Sequence, residues 1–379
     1  MRILHRYLVL ELLWNLTMFL AVILGIYFVM SLALTLGKSS IEGLPIWIVL
    51  KGTFYIVVSS LYLILPLTVL SASIFTYGRA NSDGEFSAVR VAGIHPYQVL
   101  VPALFVGSLG TVGLAWMQNE VMPAAHFTSR IQLRKDVFVN LDEVLRSSRR
   151  AIGQKRWSAN WQDAVTDSEG NLVLEGLLIL QRNKDGRMSN RLLAAHAYPT
   201  YREEENVLRL VLEGVKRWEG DGPPRLAGLF EMDLDLDELS TKDAAIKRKS
   251  DFSYEELLTR SRHLHSRVQT MPVGSKERLR GERKAAEHRG VYHFRIAFAF
   301  SSILFALLGA TLGLFKPVNN RAIVFLVGFL IVVGIYYPLQ QWGRRLGETG
   351  VAHPGLALWI GNAFVLGLAL VLFRKVCRG

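Results

Sequence analysis

The sequence predicts a helical membrane protein with six transmembrane segments, three on each side of an inserted β domain. The main observation is six windows of at least 20 residues that contain no Asp, Glu, Lys or Arg. A helix needs about 20 mainly apolar residues to cross a bilayer. The second observation is that residues from about 151 to 239 alternate between apolar and polar, which is the period of strands. The six windows are 12–37, 52–78, 91–119, 296–315, 322–343 and 350–373.

The first three windows place spans 1 to 3 within residues 1–121. The first window is longer than the apolar core of a cleaved signal peptide, which has about 7–15 residues, so we expect it to be a retained span.

A short polar stretch, SDGEFSAVRVAGIHP, separates the second and third windows and predicts a brief helix over 82–94. Ser82 as the N-cap and Glu85 three residues later match a capping box. Gly93 and Pro96 are typical of a helix end. A helix between two spans lies at the membrane surface, where a soluble partner can bind it.

Most of the net charge of +12 lies in and around the spans and not in the inserted region. Residues 122–291 carry +4 and the rest of the chain carries +8, so the excess does not indicate a nucleic-acid partner. By the positive-inside rule, the basic residues at both termini, at Arg79 and Arg90 and in 316–321 predict that these parts are cytoplasmic. The region 122–291 then lies on the external side.

The inserted region 122–250 is predicted to be an antiparallel β domain, either a sandwich or an open barrel. Turn residues at 183–186 and 220–224 separate its alternating segments. We predict strands at Leu172–Gln181, Leu192–Tyr198, Val207–Trp218 and Leu226–Leu236.

Residues 251–291 are highly charged and helical in composition, and we predict that they form a connector that returns the chain to the membrane. Spans 4 to 6 follow within 292–379. Gly309 and Gly313 form a small-xxx-small pattern that permits close helix contact. In the third span, Gly107, Gly110 and Gly113 are spaced three residues apart with the same implication.

The sequence contains no recognisable catalytic or metal motif, such as GxSxG, HExxH or a Cys–His arrangement. Cys377 is the single cysteine, which excludes an intramolecular disulfide and a thiolate metal site. GKSS at 37–40 is not a phosphate loop, because Leu32 occupies the position of the first glycine of that motif. We therefore predict no catalytic residue, no metal and no cofactor, and any energy from ATP would enter through another chain.

Five basic residues lie near the predicted outer membrane boundary. Each one alone fits a cation that reaches towards lipid headgroups. As a set around a helical bundle they suit an amphiphile with anionic headgroups, so we treat them as candidate substrate-binding residues. They are Lys38, Lys51, Arg295, Arg344 and Arg345.

Several stretches together resemble the LptF/LptG permease family of lipopolysaccharide export. They are HRYLVLELL, DGEFSAVRVAGI, FSYEELL and RIAFAFSSILFALLGATLGL, in a three-plus-three layout around a β domain. The resemblance covers essentially the whole chain and implies an inner-membrane subunit whose periplasmic β domain is jellyroll-like. It also implies a heterodimer with a paralogous permease, an ABC ATPase dimer on the cytoplasmic face and a periplasmic jellyroll bridge protein that receives lipopolysaccharide.

By position, the resemblance makes Glu85 the acidic residue of the ATPase-contacting helix, with Phe86, Val89 and Arg90 as its neighbours on the docking face. It also places Lys38 near the lipid phosphates. The fourth span departs from the family pattern, because Arg295 is followed by Ile-Ala-Phe-Ala rather than closely by proline.

The sequence thus predicts a non-enzymatic permease subunit that extracts lipopolysaccharide from the inner membrane and passes it to a periplasmic bridge. Two alternatives remain open at this point. One is an ABC permease for another envelope lipid or lipoprotein, and the other is a non-transporting membrane scaffold or sensor with a periplasmic β domain.

Overall fold

The computed structural model divides the chain into two compact units, which are described separately. The first unit comprises Met1–Tyr27, Val57–His126 and Arg248–Gly379, and the second comprises Phe28–Ile56 and Phe127–Lys247. The structure describes residues 2–37, 45–128, 136, 145–146, 151–154, 157–167, 171–182, 188–202, 207–219, 223–235, 247, 249–272, 274–315, 320–349 and 353–378.

Six helices in the described part of the chain are long and apolar enough to cross a membrane, which confirms the predicted number of spans. Two of them contain a π-helical turn, at Met117–Val121 and Val332–Tyr336. The spans are Arg2–Leu36, Ile46–Ser82, Pro96–Thr128, Lys276–Gly313, Ala322–Thr349 and Gly355–Arg378. The helices are α1 (Arg2–Leu36), α2 (Ile46–Ser82), α3 (Glu85–Val91), α4 (Pro96–Trp116), α5 (Tyr254–Gln269), α6 (Lys276–Ala299), α7 (Ser301–Gly313), α8 (Arg321–Ile331), α9 (Tyr337–Thr349), α10 (Pro354–Ala357) and α11 (Ile360–Arg378).

The fourth span is the most enclosed of the six, since 72% of its most apolar stretch is buried, against 11% for the first span. Its helix α6 begins among the charged residues of the predicted connector and continues into the apolar segment without interruption. Helix α7 then carries buried residues on nearly its whole circumference, as expected for a helix that packs against neighbours on all sides.

Glycines allow the fourth span to lie directly against the backbone of the second. A Cβ built on Gly309 would lie 2.7 Å from the carbonyl oxygen of Leu70, and one on Gly313 would lie 2.8 Å from the backbone nitrogen of Gly78. On another side of α7, a Cβ on Gly107 would lie 2.7 Å from the Cβ of Ala306. The small-residue pattern therefore predicted a real close contact.

In the described part of the second unit, the strands are β1 (Ala151–Gln154), β2 (Trp157–Asn160), β3 (Asp163–Thr166), β4 (Leu172–Arg182), β5 (Met188–Arg202), β6 (Val207–Glu219) and β7 (Arg225–Asp235). They form one antiparallel seven-stranded sheet in the order β1-β2-β4-β5-β6-β7, with β3 paired to β4 beside this path. All four predicted strands are confirmed, as β4 to β7, and three short strands precede them. The jellyroll-like shape stays a prediction. The turn predicted at 183–186 and residues 220–222 of the turn predicted at 220–224 lie outside the described residues.

The long strands of this sheet bury one face, because alternate residues such as Leu172, Leu174, Leu210 and Leu212 join a single apolar cluster. On the exposed side, Arg209 of β6 lies directly opposite Asp233 of β7. Its Nε and Nη2 atoms each donate to a different carboxylate oxygen at 2.8 Å, and this pairing lowers the pKa of Asp233 below its ordinary value.

Candidate functional site

The short helix α3 is the element that the sequence places where a soluble partner can bind. It begins at Glu85 rather than Ser82, so the predicted capping box was wrong. Helix α2 continues through Ser82, whose hydroxyl donates to the carbonyl of Gly78, and the break falls at Gly84 with φ of 76°. A glycine adopts this left-handed conformation without a Cβ clash, so the backbone, not a side-chain cap, starts the helix.

The predicted glycine stop at the other end of α3 is confirmed. Gly93 has φ of 76°, its amide donates to the carbonyl of Arg90 at 3.0 Å, and the amide of Ile94 donates to the carbonyl of Val89 at 3.2 Å. This pair of hydrogen bonds is a Schellman motif. Because glycines define both ends, α3 has a fixed length and direction between the two spans.

Helix α3 is anchored through one face and exposed on the other. Phe86 is only 3% exposed and lies in a core cluster with Leu8 of α1 and Val99 of α4, and Val89 packs against the same cluster. Val91, at 90% exposure, lies about 140° around the helix from Phe86. The exposed face consists of Ser87, Ala88, Val91 and Ala92.

Two of the four residues predicted for the docking face therefore have anchoring contacts, namely Phe86 and Val89, while Glu85 and Arg90 are partly exposed. Ala88 and Val91, which lie on the exposed face, were not among the four predicted residues. The helical period could have identified this exposed face, because Phe86 and Val89 are three residues apart and so lie together on the inner face.

A cluster of charges joins α3 to both preceding helices, and Arg79 of α2 is at its centre. The Arg79 guanidinium binds both oxygens of Glu11 from α1, with Nη2 at 2.7 Å from Oε2. Its Nη1 atom donates to Asp83 at 2.8 Å and to Oε1 of Glu85 at 2.9 Å. The hydroxyl of Tyr7 accepts from Arg79 and donates to Oε1 of Glu85 at 3.3 Å.

Of the candidate substrate-binding residues, Lys38 lies outside the described residues. Lys51 belongs to the second unit, where its Nζ atom donates to Asp136 at 2.7 Å. The Lys51 ammonium also lies 5.9 Å from the ring centroid of Trp47, and its side chain keeps 34% exposure. Lys51 is therefore a paired cation that remains accessible.

Arg295 occupies an interior position. It is 5% exposed, and its guanidinium donates to the backbone carbonyls of Gln118 at 3.0 Å, Phe252 at 2.7 Å and Ser250 at 2.9 Å. These contacts join the third span, the returning chain and the fourth span. The geometry gives Arg295 a structural role instead of a place on a lipid-facing surface.

Arg344 and Arg345 lie on α9, at the end of the fifth span. The Nε atom of Arg344 donates to Glu348 at 2.9 Å, and its guanidinium lies 5.1 Å from the ring centroid of Phe294. Arg345 is exposed. Among the residues that the structure describes, no group of three or more His, Cys, Asp or Glu side chains is arranged to hold a metal ion.

Comparison with known proteins decides the family. The profile described as "Lipopolysaccharide export system permease LptF/LptG" matches residues 6–375. The chain belongs to this family. The resemblance seen in the sequence is therefore confirmed, and the chain is a multi-pass membrane protein of a transporter-permease family.

Curated LptF/LptG relatives match over almost the full length. The lipopolysaccharide export system permease protein LptF of Escherichia coli K12 is 23% identical, over 98% of this chain and 94% of the relative. The proteins of the same name from Escherichia coli O157:H7 and Shigella flexneri match with the same values.

Proposed function

We propose that the chain is the permease subunit of an ABC-type exporter that extracts lipopolysaccharide from the inner membrane and passes it to a periplasmic bridge protein. It would pair with a paralogous permease as a heterodimer, and a separate ATPase dimer would dock on α3 and supply the energy. The termini and α3 would be cytoplasmic, and the β domain periplasmic.

The observation that carries this proposal is the construction of α3. A short helix between two spans, with glycine-defined ends, a buried aromatic anchor and an exposed apolar face, is suited to receive force from a soluble protein. Family membership supports the substrate class, since the matched profile is named for lipopolysaccharide export.

We propose that the accessible cations at the predicted outer boundary contact the lipid headgroup. These are Lys51, Arg344 and Arg345, together with Lys38 from the sequence-based assignment. Guanidinium and ammonium groups bind the phosphates of an anionic headgroup through charge-assisted hydrogen bonds. Arg295 is not among these cations, because its guanidinium is bound by three backbone carbonyls.

We expect Val91→Glu to release the ATPase from the permease complex. Val91 is 90% exposed, so the substitution leaves the fold of the chain intact but puts a charge into an apolar contact. Copurification of the ATPase with an affinity-tagged chain measures the effect. We expect the bound ATPase to fall about tenfold or more. A tenfold loss of affinity corresponds to about 1.4 kcal/mol of binding free energy.

Leu279→Glu provides the matched control, because Leu279 is also an exposed apolar residue on a helix, at 59% exposure, but lies on α6 far from α3 in the sequence. It should leave the ATPase bound. If no ATPase copurifies with the unmodified chain, or if Val91→Glu retains it as well as Leu279→Glu does, the assignment of α3 as the docking helix is wrong.

A further inference from the structure

The Arg79 cluster connects α3 to the span that is otherwise the least enclosed. Besides Glu11, helix α1 contacts α2 through Asn15, whose amide donates to the hydroxyl of Thr76 at 2.8 Å, and through the ring of Phe19 against Phe75. These contacts run along the two helices, whereas the contacts of Arg79 also reach α3. Helices α1 and α3 also share an apolar cluster through Leu8 and Phe86, and the hydroxyl of Tyr7 donates to Glu85. Arg79 is the side chain that binds carboxylates of both α1 and α3.

We propose that Arg79 is a positioning residue that ties the docking helix to the first span, so that a displacement of α3 moves α1. This inference rests on the proposed function, because it assumes that an ATPase acts on α3. Arg79 acts through Glu11 on one side and Glu85 on the other, and it does not itself contact the transported lipid.

Arg79 binds the carboxylates of Glu11 and Glu85 differently. The contact with Glu11 is the fixed one, and the contact with Glu85 can adjust. Glu11 is bound through both oxygens by Nε and Nη2, and its side chain is 17% exposed. Glu85 is bound mainly through Oε1, its Oε2 atom lies 3.4 Å from Nη2, and its side chain is 34% exposed. A planar guanidinium gains most from the two-point contact, so Glu11 is the stronger partner.

The arrangement leaves Glu85 able to accept a second cation. Three carboxylates, from Glu11, Asp83 and Glu85, surround a single guanidinium, so the cluster carries excess negative charge. A guanidinium or ammonium group of the docked ATPase can bind Oε2 of Glu85 while Oε1 stays on Arg79. The partner's cation, Glu85, Arg79 and Glu11 would then form one continuous chain of ion pairs from the ATPase to α1.

Two neutralising substitutions distinguish the loss of the contact between α1 and α3 from the simple loss of one negative charge near Arg79. Glu11→Gln and Asp83→Asn each remove one carboxylate charge from the surroundings of Arg79. Only Glu11 belongs to α1, whereas Asp83 directly follows α2 and pairs with Arg79 within its own segment. In the reconstituted permease–ATPase complex, we expect both variants to bind the ATPase. We expect Glu11→Gln to lower the lipopolysaccharide released per ATP hydrolysed by about tenfold and Asp83→Asn to leave it unchanged.

Replacement of Arg79 itself tests whether the two-point contacts of its planar guanidinium are needed. The coupling ratio is the amount of lipopolysaccharide released per ATP hydrolysed. Arg79→Met should lower this ratio as much as Glu11→Gln does. Arg79→Lys should lower it less, because an ammonium retains the charge but makes only point contacts. Equal coupling ratios for Glu11→Gln and Asp83→Asn, or a normal ratio for Arg79→Met, would overturn the proposal.

A distance measurement tests the link without any ATPase. Spin labels at Leu10 of α1 and Val91 of α3, both exposed, report the separation of the two helices in the purified chain after Cys377→Ser. A narrow distance distribution is expected for the otherwise unmodified chain and for Asp83→Asn, and a broadened one for Glu11→Gln. An unchanged distribution in Glu11→Gln refutes the link, whereas failure of the ATPase to bind α3 refutes only the proposed docking.

Discussion

Gly309→Ala is expected to destabilise the helical bundle, although the substitution adds a single methyl group. The new Cβ would lie 2.7 Å from the carbonyl oxygen of Leu70 and 2.8 Å from the Cβ of Ser73, so the fourth span must move away from the second. Overpacking of this kind costs about 1–3 kcal/mol. The double variant with Gly313→Ala should cost more, since its Cβ would lie 2.8 Å from the nitrogen of Gly78.

The matched control is Gly113→Ala on α4, where a Cβ meets nothing within 4 Å. Alanine is favoured over glycine in a helix by about 1 kcal/mol, so this variant should melt at the same temperature as the unmodified chain or higher. Thermal unfolding of the purified protein in detergent measures both. If Gly309→Ala melts no lower than Gly113→Ala, the close contact of the second and fourth spans is wrong.

Arg295→Met is expected to produce the second large loss of stability. Methionine retains most of the length of the side chain but removes the donors to three backbone carbonyls, of Gln118, Ser250 and Phe252. Leaving a buried acceptor without a partner costs about 1–3 kcal/mol, so the loss over this site should reach about 3 kcal/mol. The same thermal unfolding experiment measures it.

Two further variants show whether the donors of Arg295 matter or only its charge. Arg295→Lys retains the charge but cannot reach all three carbonyls, so its stability should lie between those of Arg295→Met and the unmodified chain. Arg345→Met removes an exposed arginine and should change the free energy of unfolding by no more than about 0.5 kcal/mol. If Arg295→Met is as stable as Arg345→Met, Arg295 is not the structural link that its contacts indicate.

The spans and the long strands could be predicted because their physical cause is local in the sequence. A run of residues without charge, or an apolar residue at every second position, is sufficient to indicate the element. Gly309 and Gly313 were predicted to permit close contact for the same reason, but the pattern did not say which helix they meet. Gly113 has the same spacing as Gly110 and faces open space.

The start of α3 was mispredicted because two local signals compete there. Ser82 and Glu85 have the spacing of a capping box, but the preceding helix retains enough helical hydrogen bonding to continue through Ser82, and Gly84 provides the break. A capping motif next to a glycine in a left-handed conformation is therefore weak evidence for where a helix begins.

The roles of Arg295 and Arg79 depend on contacts between distant parts of the chain. Arg295 and Gln118 are 177 positions apart, and Arg79 and Glu11 are 68 apart. A basic residue near the end of an apolar window is compatible with a lipid contact, a buried link or a solvated side chain. Only the three-dimensional arrangement of carbonyl and carboxylate oxygens distinguishes these possibilities.

In the proposed function, a separate ATPase drives lipopolysaccharide release through α3. The most direct measurement is ATP-dependent transfer of labelled lipopolysaccharide from proteoliposomes to a soluble jellyroll acceptor, with the chain, its paralogous permease and the ATPase reconstituted together. We expect transfer with the unmodified chain and with Leu279→Glu, and transfer reduced about tenfold or more with Val91→Glu. Transfer with Val91→Glu at the rate of Leu279→Glu, or transfer without the ATPase, would contradict the account.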